Sequence, residues 1–248
     1  ADLETGMNNI TMFDDLEAAA KDADYVIEAC PEKLELKQEL FALGEAPLPR
    51  YVIDKRENHH GTEEDHEDFQ CTFAKNEGAV TAPATGLHFT RELMKRMEIY
   101  GINTAYITLH CGLGNFSPIE VEDLTKHKMD SEQMEVTQEA CDIVNKAKEA
   151  GHRICSIGTS VLKATETAVG VDGKLKEYSD WTNKFIFPPY DFGLSDSMVA
   201  NFYHPLSPLL MATAAFGGYE QVMECYNLAV KNGYQFGCFG DSLLILND

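Results

Sequence analysis

Apolar positions along the chain change period several times, and each change predicts an element. Asp14-Asp15-Leu16-Glu17 reads as an N-cap and acidic first turn of a helix reaching about Ala23. Asp24 to Ala29 reads as a short strand. Glu32 to Leu43 reads as a helix, with Leu36, Leu40 and Leu43 on one face and Gly44 as its stop. Ala46-Pro47 and Leu48-Pro49 mark a linker. Thr90 then caps a predicted helix to Tyr100, with Leu93, Met94 and Met97 facing the core and Gly101 at the exit. Alternation from Ala105 to Cys111 predicts a strand, placing Ile107, Leu109 and Cys111 on one face and Tyr106, Thr108 and His110 on the other.

Asp130 and Gln133 resemble a capping box for a helix to Ala150, with Val136, Ala140, Ile143 and Ala147 as its apolar stripe. Arg153 to Ile157 is a predicted strand, Gly158-Thr159-Ser160 a tight turn, and Val161 to Val169 a helix. Phe185 to Tyr190 reads as a strand ended by a proline pair. Ser207-Pro208 fits an N-cap with proline at the first helical position, opening an apolar helix from Leu209 to Phe216. Gly217-Gly218 breaks it, and Tyr219 to Asn232 follows with Val222, Met223, Tyr226 and Val230 inward. Gly240-Asp241-Ser242 precedes a last strand, Leu243 to Leu246. Strand–helix steps with extra β segments predict an α/β fold.

Composition narrows the class. Apolar residues make up 44% of 248, enough for a real core and too many for a disordered chain. No apolar run approaches the ~18 residues of a membrane span, so no membrane partner is expected. No secretory signal is visible at the N-terminus, and seven cysteines without a CxxC pair read as reduced thiols in a cytoplasmic protein. Cys141 and Cys155 read as small hydrophobes in apolar periodic segments. The acidic loop from Glu57 to Asp68 holds His59, His60 and His66, but no regular ligand spacing, so it reads as solvated and not as a metal site. The net charge of −21 argues against a surface built mainly for nucleic acid. Residues 1–75 carry −12 of it and residues 76–248 the remaining −9.

Candidate chemistry gathers at two turns. The strand–turn–helix around Gly158, Thr159 and Ser160 presents backbone N–H groups at a helix N-terminus, which suits a carboxylate or phosphate. His110 ends a strand just before Gly112-Leu113-Gly114, where glycine permits a turn or a close approach of backbone to ligand.

Six ordered segments then carry a resemblance: Ala82 to Phe89 (APATGLHF), His110 to Phe116 (HCGLGNF), Gly158 to Glu166 (GTSVLKATE), Phe185 to Phe192 (FIFPPYDF), Ala200 to Met211 (ANFYHPLSPLLM) and Tyr234 to Ile245 (YQFGCFGDSLLI). Together they are similar to the S-adenosylmethionine:tRNA ribosyltransferase-isomerases of queuosine biosynthesis, over about residues 45–248. The resemblance implies S-adenosylmethionine as co-substrate, with no metal. Its ribosyl portion passes to the aminomethyl group of a 7-deazaguanine in tRNA and is rearranged to an epoxycyclopentanediol, while adenine and methionine leave. It also implies tRNA as partner, its binding weakened by the acidic charge.

On those motifs His88 and His110 are the candidate acid–base residues. Thr85, Gly86, Phe89, Gly112, Gly114, Phe116, Gly158, Thr159, Ser160, Lys163, Tyr190, Asn201 and Asp241 are the candidate substrate-binding residues. Asp241 also reads as a turn residue. The chain departs from the family pattern at several places. Lys163 and Gln235 stand where arginines are usual, and Asn201-Phe202-Tyr203-His204-Pro205 stands where Asn-Phe-His-Leu-Pro is usual. A catalytically impaired relative that still binds S-adenosylmethionine or a related nucleoside is therefore the alternative reading.

The expected fold is α/β, a mixed sheet or barrel-like core flanked by helices, without the family's small inserted β-barrel domain. Residues 1–44 form a separate β–α–α segment and residues 45–248 a shortened catalytic domain. Residues 14–41 resemble a fragment of 3-hydroxyacyl-CoA dehydrogenases, but the chain has no GxGxxG turn, so no NAD is expected.

Overall fold

A computed structural model describes residues 46, 48–57, 61–112, 114 and 117–247. The elements predicted between residues 14 and 44, together with His59, His60 and Phe116, lie outside the described residues. The chain divides into two units, residues 1–66 and 67–248.

In the first unit Pro49 leads into a one-turn helix, α1 (Arg50–Ile53), consistent with proline's fixed φ. The residues flanking Pro47, expected to form a linker, are in fact buried: Ala46 and Leu48. A second single turn is α2 (Asp65–Asp68). Arg56 grips Asp65 with both terminal nitrogens, at 2.5 and 2.6 Å, and the Thr62 N–H donates to the same carboxylate at 2.6 Å. The guanidinium is the main reason the Asp65 carboxyl lies at about 2, and burial opposes it. Because the folded pKa is lowered, this contribution is present above the unfolded pKa of ~4 and is lost as pH falls from there towards about 2. Arg56→Leu is expected to move the Asp65 carboxyl up towards ordinary aspartate values, as read by a side-chain carboxyl NMR titration. No movement would show that the backbone amides, not the guanidinium, hold the charge.

Among the described residues the second unit contains two three-stranded sheets. The first runs β1 (Thr108–Leu109), β2 (Glu132–Val136), β4 (Tyr178–Thr182), all antiparallel. The second runs β3 (Cys155–Ile157), β5 (Ser197–Asn201), β6 (Ser242–Leu246), with β3 parallel and β6 antiparallel to β5. This is the mixed α/β class expected, although among the described residues no ladder joins the two sheets into a barrel. The helices that accompany them are α3 (Arg91–Ile99), α4 (Gln138–Glu149), α5 (Thr159–Ala168), α6 (Pro208–Gly217) and α7 (Tyr219–Lys231).

Thr90, Thr137 and Ser207 cap α3, α4 and α6 by accepting from the N–H three residues on, each satisfying an otherwise free donor. α5 joins the two halves. Leu162 enters a core built on β5, α6 and α7 with Met198, Phe202, Phe216 and Tyr226, whereas Ala164 and Ala168 enter a core with Met134, Val136, Cys141 and Leu194. A helix packed on both sides must be apolar or small nearly all round, and Ala164, Thr165 and Ala168 meet that demand.

Four expectations need correction. Residues Glu132–Val136 form a strand, not the start of a helix: period-two alternation buries Glu132, Met134 and Val136 and exposes Gln133 and Glu135. Thr137 is the true cap of α4. Phe185 to Tyr190 makes no ladder, since Pro188 and Pro189 have no N–H to donate, and its rings pack instead, Phe185 on His127 at 4.7 Å and on Phe187 at 5.0 Å. The strand in that region is β4, hidden because it is mostly exposed and lacks an apolar rhythm. The predicted run from Ala105 to Cys111 is a strand only at Thr108–Leu109, with Cys111, placed on one face by the alternation, buried and Tyr106, placed on the other, exposed. On α7, Ala229 is buried and Val230 faces solvent.

The described cysteines are all free thiols. Cys141 is buried as predicted, but Cys155 is exposed. No helix among the described residues is long and apolar enough to cross a membrane, and they contain no cluster of histidine, cysteine and carboxylate groups suited to a metal ion.

Candidate active site

The N-terminus of α5 is the point where most of the sequence-selected residues meet. Gly158 has φ of 95°, a region costly for any residue with a Cβ, and its N–H bonds to Val199 O at 2.8 Å, fixing the turn to β5. A Cβ there would meet Thr85 at 3.4 Å, so the Thr85 turn (Ala84–His88, a 3-10 helix) lies directly against it. Thr85 is 2% exposed and its hydroxyl sits 3.2 Å from the Tyr203 hydroxyl. Tyr203 in turn is held through its N–H by the Tyr226 hydroxyl at 2.9 Å. Within α5 the Leu162 N–H is the one that reaches back to Gly158 O, so the amides of Thr159, Ser160 and Val161 head the helix. Gly158 itself supplies no side-chain cap. Such a terminus favours a negative group.

One turn along the same helix, Lys163 forms a buried ion pair with Glu132 of β2, their side chains 9% and 3% exposed. The other Glu132 oxygen accepts from the Gly112 N–H at 2.9 Å. This carboxylate therefore ties the glycine loop after β1 to α5. Cys111 shares the environment. Burial first, then the Glu132 charge, push its thiol up to about 11, against a hydrogen bond with Ser160 and the charge of Lys163. A thiol so protonated is a packing group and not a nucleophile. Gly112, Ser160 and Lys163 are thus brought together, with Thr85, Gly158 and Thr159 at the adjoining end of the helix. Glu132 is the member that sequence reading missed. Its signal was the alternation of β2, with a carboxylate on the buried face.

Other candidates have different surroundings. His88 closes the Thr85 turn, and its Nε2 is buried without a hydrogen-bond partner among the described residues. His110 is half-buried against Gly78, where a Cβ would come within 2.8 Å of the imidazole Nδ1. Gly86 is buried beside Phe73 and Cys71, and Phe89 is partly buried, with its carbonyl accepting from the Thr72 hydroxyl at 3.1 Å. Gly114 lies against the Asp130 carboxylate. Asn201 is fully buried, donates to the carbonyls of Gly237 and Cys238 at 3.0 and 3.3 Å, and leaves Oδ1 without a partner among the described residues. Asp241 is exposed and closes a turn, accepting from the Gln235 N–H at 2.7 Å.

Tyr190 belongs to a separate arrangement. Its hydroxyl reaches Glu166 at 3.5 Å, and burial together with that carboxylate pushes it up to about 12. Glu166 is buried on α5 and accepts from the N–H groups of Gly193 at 3.1 Å and Leu194 at 3.3 Å, anchoring the segment after Tyr190.

Comparison with known proteins gives these residues a context. The sequence profile of the family described as "Queuosine biosynthesis protein" matches residues 4–245. The S-adenosylmethionine:tRNA ribosyltransferase-isomerase of Bacteroides fragilis is 63% identical over 213 residues, which are 86% of this chain and 59% of that protein. The protein of the same name from Clostridium kluyveri is 42% identical over 206 residues, 83% of this chain and 58% of that one. A crystal structure of S-adenosylmethionine tRNA ribosyltransferase from Thermotoga maritima superposes with a TM-score of 0.55 at 37% identity, covering 65% of this chain and 51% of that chain. The chain spans about three-fifths of the length of the curated relatives it matches. With a profile match over nearly its whole length and identities of this size, the chain belongs to the queuosine biosynthesis protein family.

Proposed function

We propose that this chain carries the S-adenosylmethionine-binding part of a tRNA ribosyltransferase-isomerase. The observation that carries the reading is the junction at α5, where the Glu132–Lys163 pair joins the Gly112 loop to an uncapped helix N-terminus. In this reading the amides of Thr159 and Ser160 receive the methionine carboxylate, and the Gly112 loop lies along the nucleoside. Gly86, Phe89, Gly114, Phe116, Tyr190, Asn201 and Asp241 complete the proposed substrate surroundings. The Oδ1 of Asn201 is an acceptor for a ligand donor. His88 and His110 are the proposed proton carriers. One takes a proton from the attacking amine as its nitrogen bonds to the ribosyl portion, and the other gives one to adenine as the glycosidic bond breaks. The C–S bond breaks with its electron pair going to sulfur, and methionine leaves as the neutral thioether. The substrate is proposed to be a 7-aminomethyl-7-deazaguanine in tRNA, the product epoxyqueuosine and the setting cytoplasmic. Residues 45–248 are proposed as belonging to the catalytic domain, and residues 1–44 as a separate segment.

Labelled S-adenosylmethionine and tRNA carrying the precursor base test this directly, with adenine release as the readout and calorimetric binding measured in parallel. Binding with adenine release is the expected result. Binding without release would overturn the catalytic part and leave an S-adenosylmethionine-binding relative. Calorimetry with NAD serves as the counter-test, and heat from NAD but not from S-adenosylmethionine would overturn the reading altogether.

A further inference from the structure

Between α3 and α4 runs a groove of about 780 Å³ that no part of the proposed site uses. Its walls carry Arg91, Lys95, Lys146 and His152, while the one carboxylate among the lining residues, Glu98, is engaged by Lys95 at 2.8 Å. In a chain of net charge −21, a concave surface lined with an excess of cations is a local reversal of sign. It also holds a tilted aromatic pair, Phe73 and Tyr106, with ring centroids 5.7 Å apart, and Tyr106 is 49% exposed. Cationic side chains beside an exposed ring form the combination that holds a nucleic-acid strand, through phosphates and through stacking.

We infer that this groove seats the RNA backbone of the tRNA whose base is presented at α5, an inference that rests on the function proposed above. The connection is structural. Tyr106 on the groove wall is five residues before Cys111, and an extended chain covers that interval in ~17 Å at ~3.3 Å per residue. In this proposal the RNA strand follows β1 from the groove towards the Gly112 loop. The acidic remainder of the protein repels the rest of the tRNA, so the complex is weak, and its loss with rising salt comes from the phosphates that the groove cations neutralise.

Arg91 and Lys146 are exposed and lie outside the proposed catalytic site, which makes Arg91→Glu/Lys146→Glu a surface change compatible with an intact fold. The test titrates a tRNA transcript against the unaltered and the doubly substituted protein between ~50 and ~200 mM salt, with S-adenosylmethionine affinity measured on both. The substituted protein is expected to bind tRNA about tenfold or more weakly, with the slope of log K against log salt shallower by ~2, about one for each phosphate no longer neutralised. Its S-adenosylmethionine affinity is expected to be unchanged. Equal tRNA affinity and slope for the two proteins would overturn the groove while leaving the proposed function standing. A parallel loss of S-adenosylmethionine affinity would also overturn it, because the effect would not be confined to the groove. Absence of any tRNA complex with the unaltered protein at the lower salt would overturn both the groove and the tRNA part of the proposed function.

Discussion

Replacing Lys163 with methionine is expected to lower the free energy of unfolding by about 3–5 kcal/mol, the usual consequence of leaving one member of a buried ion pair alone. Glu132 is 3% exposed, and the Gly112 N–H donates to its other oxygen. A carboxylate so buried that loses its ammonium partner is costly to keep ionised. The companion variant decides the cause. Lys163→Met with Glu132→Leu removes both buried charges together, and is expected to recover most of the stability. Urea unfolding of the two variants beside the unaltered chain makes the comparison. A single-variant decrease below about 1 kcal/mol, or a double variant no better than the single one, would show that the pair does not organise the site. The double variant is also expected to bind S-adenosylmethionine more weakly than the unaltered protein, since the Gly112 loop no longer has the carboxylate that anchors it.

That pair shows what sequence reading reached and where it stopped. Lys163 was selectable because it lies in the Gly158 to Glu166 segment that carries the family resemblance, a local signal readable from one segment. Its partner stands 31 positions upstream, and Asp130 with Gln133 imitated the start of a helix, which disguised the alternation that buries Glu132. Helices with a side-chain cap or a punctuating glycine were legible for a similar reason: Thr90, Ser207 and Gly218 act within one turn of themselves. Strands without an apolar rhythm were not. β4 is defined by its ladder to β2 from Glu132 opposite Thr182 to Val136 opposite Tyr178, a long-range relation with no local trace. The aromatic run from Phe185 misled because strand propensity describes side chains, whereas a ladder also needs backbone donors that prolines lack. The groove between α3 and α4 was equally invisible, since Arg91, Lys95, Lys146 and His152 come together only when the helices pack.

His88→Leu is expected to separate stability from activity. The imidazole Nε2 is a buried polar atom with no hydrogen-bond partner among the described residues. Keeping such an atom out of water costs on the order of 1–3 kcal/mol, so an apolar side chain of similar reach should leave the unfolding free energy unchanged or raise it. A structural histidine would behave in the opposite way, because its replacement would break a bond on which the fold depends. The rate of adenine release is expected to fall by about 10²- to 10⁴-fold, the range supplied by a positioned proton donor or acceptor. S-adenosylmethionine affinity should change far less, since the proposed carboxylate contacts come from the backbone at Thr159 and Ser160. Adenine release at the original rate in a stably folded variant would remove His88 from the chemistry and leave His110, packed against Gly78, as the remaining imidazole proposed to carry the proton. A variant that is stable, binds S-adenosylmethionine and releases little adenine would identify the unpaired nitrogen as a group held ready for the substrate, its cost to the fold offset elsewhere in the core.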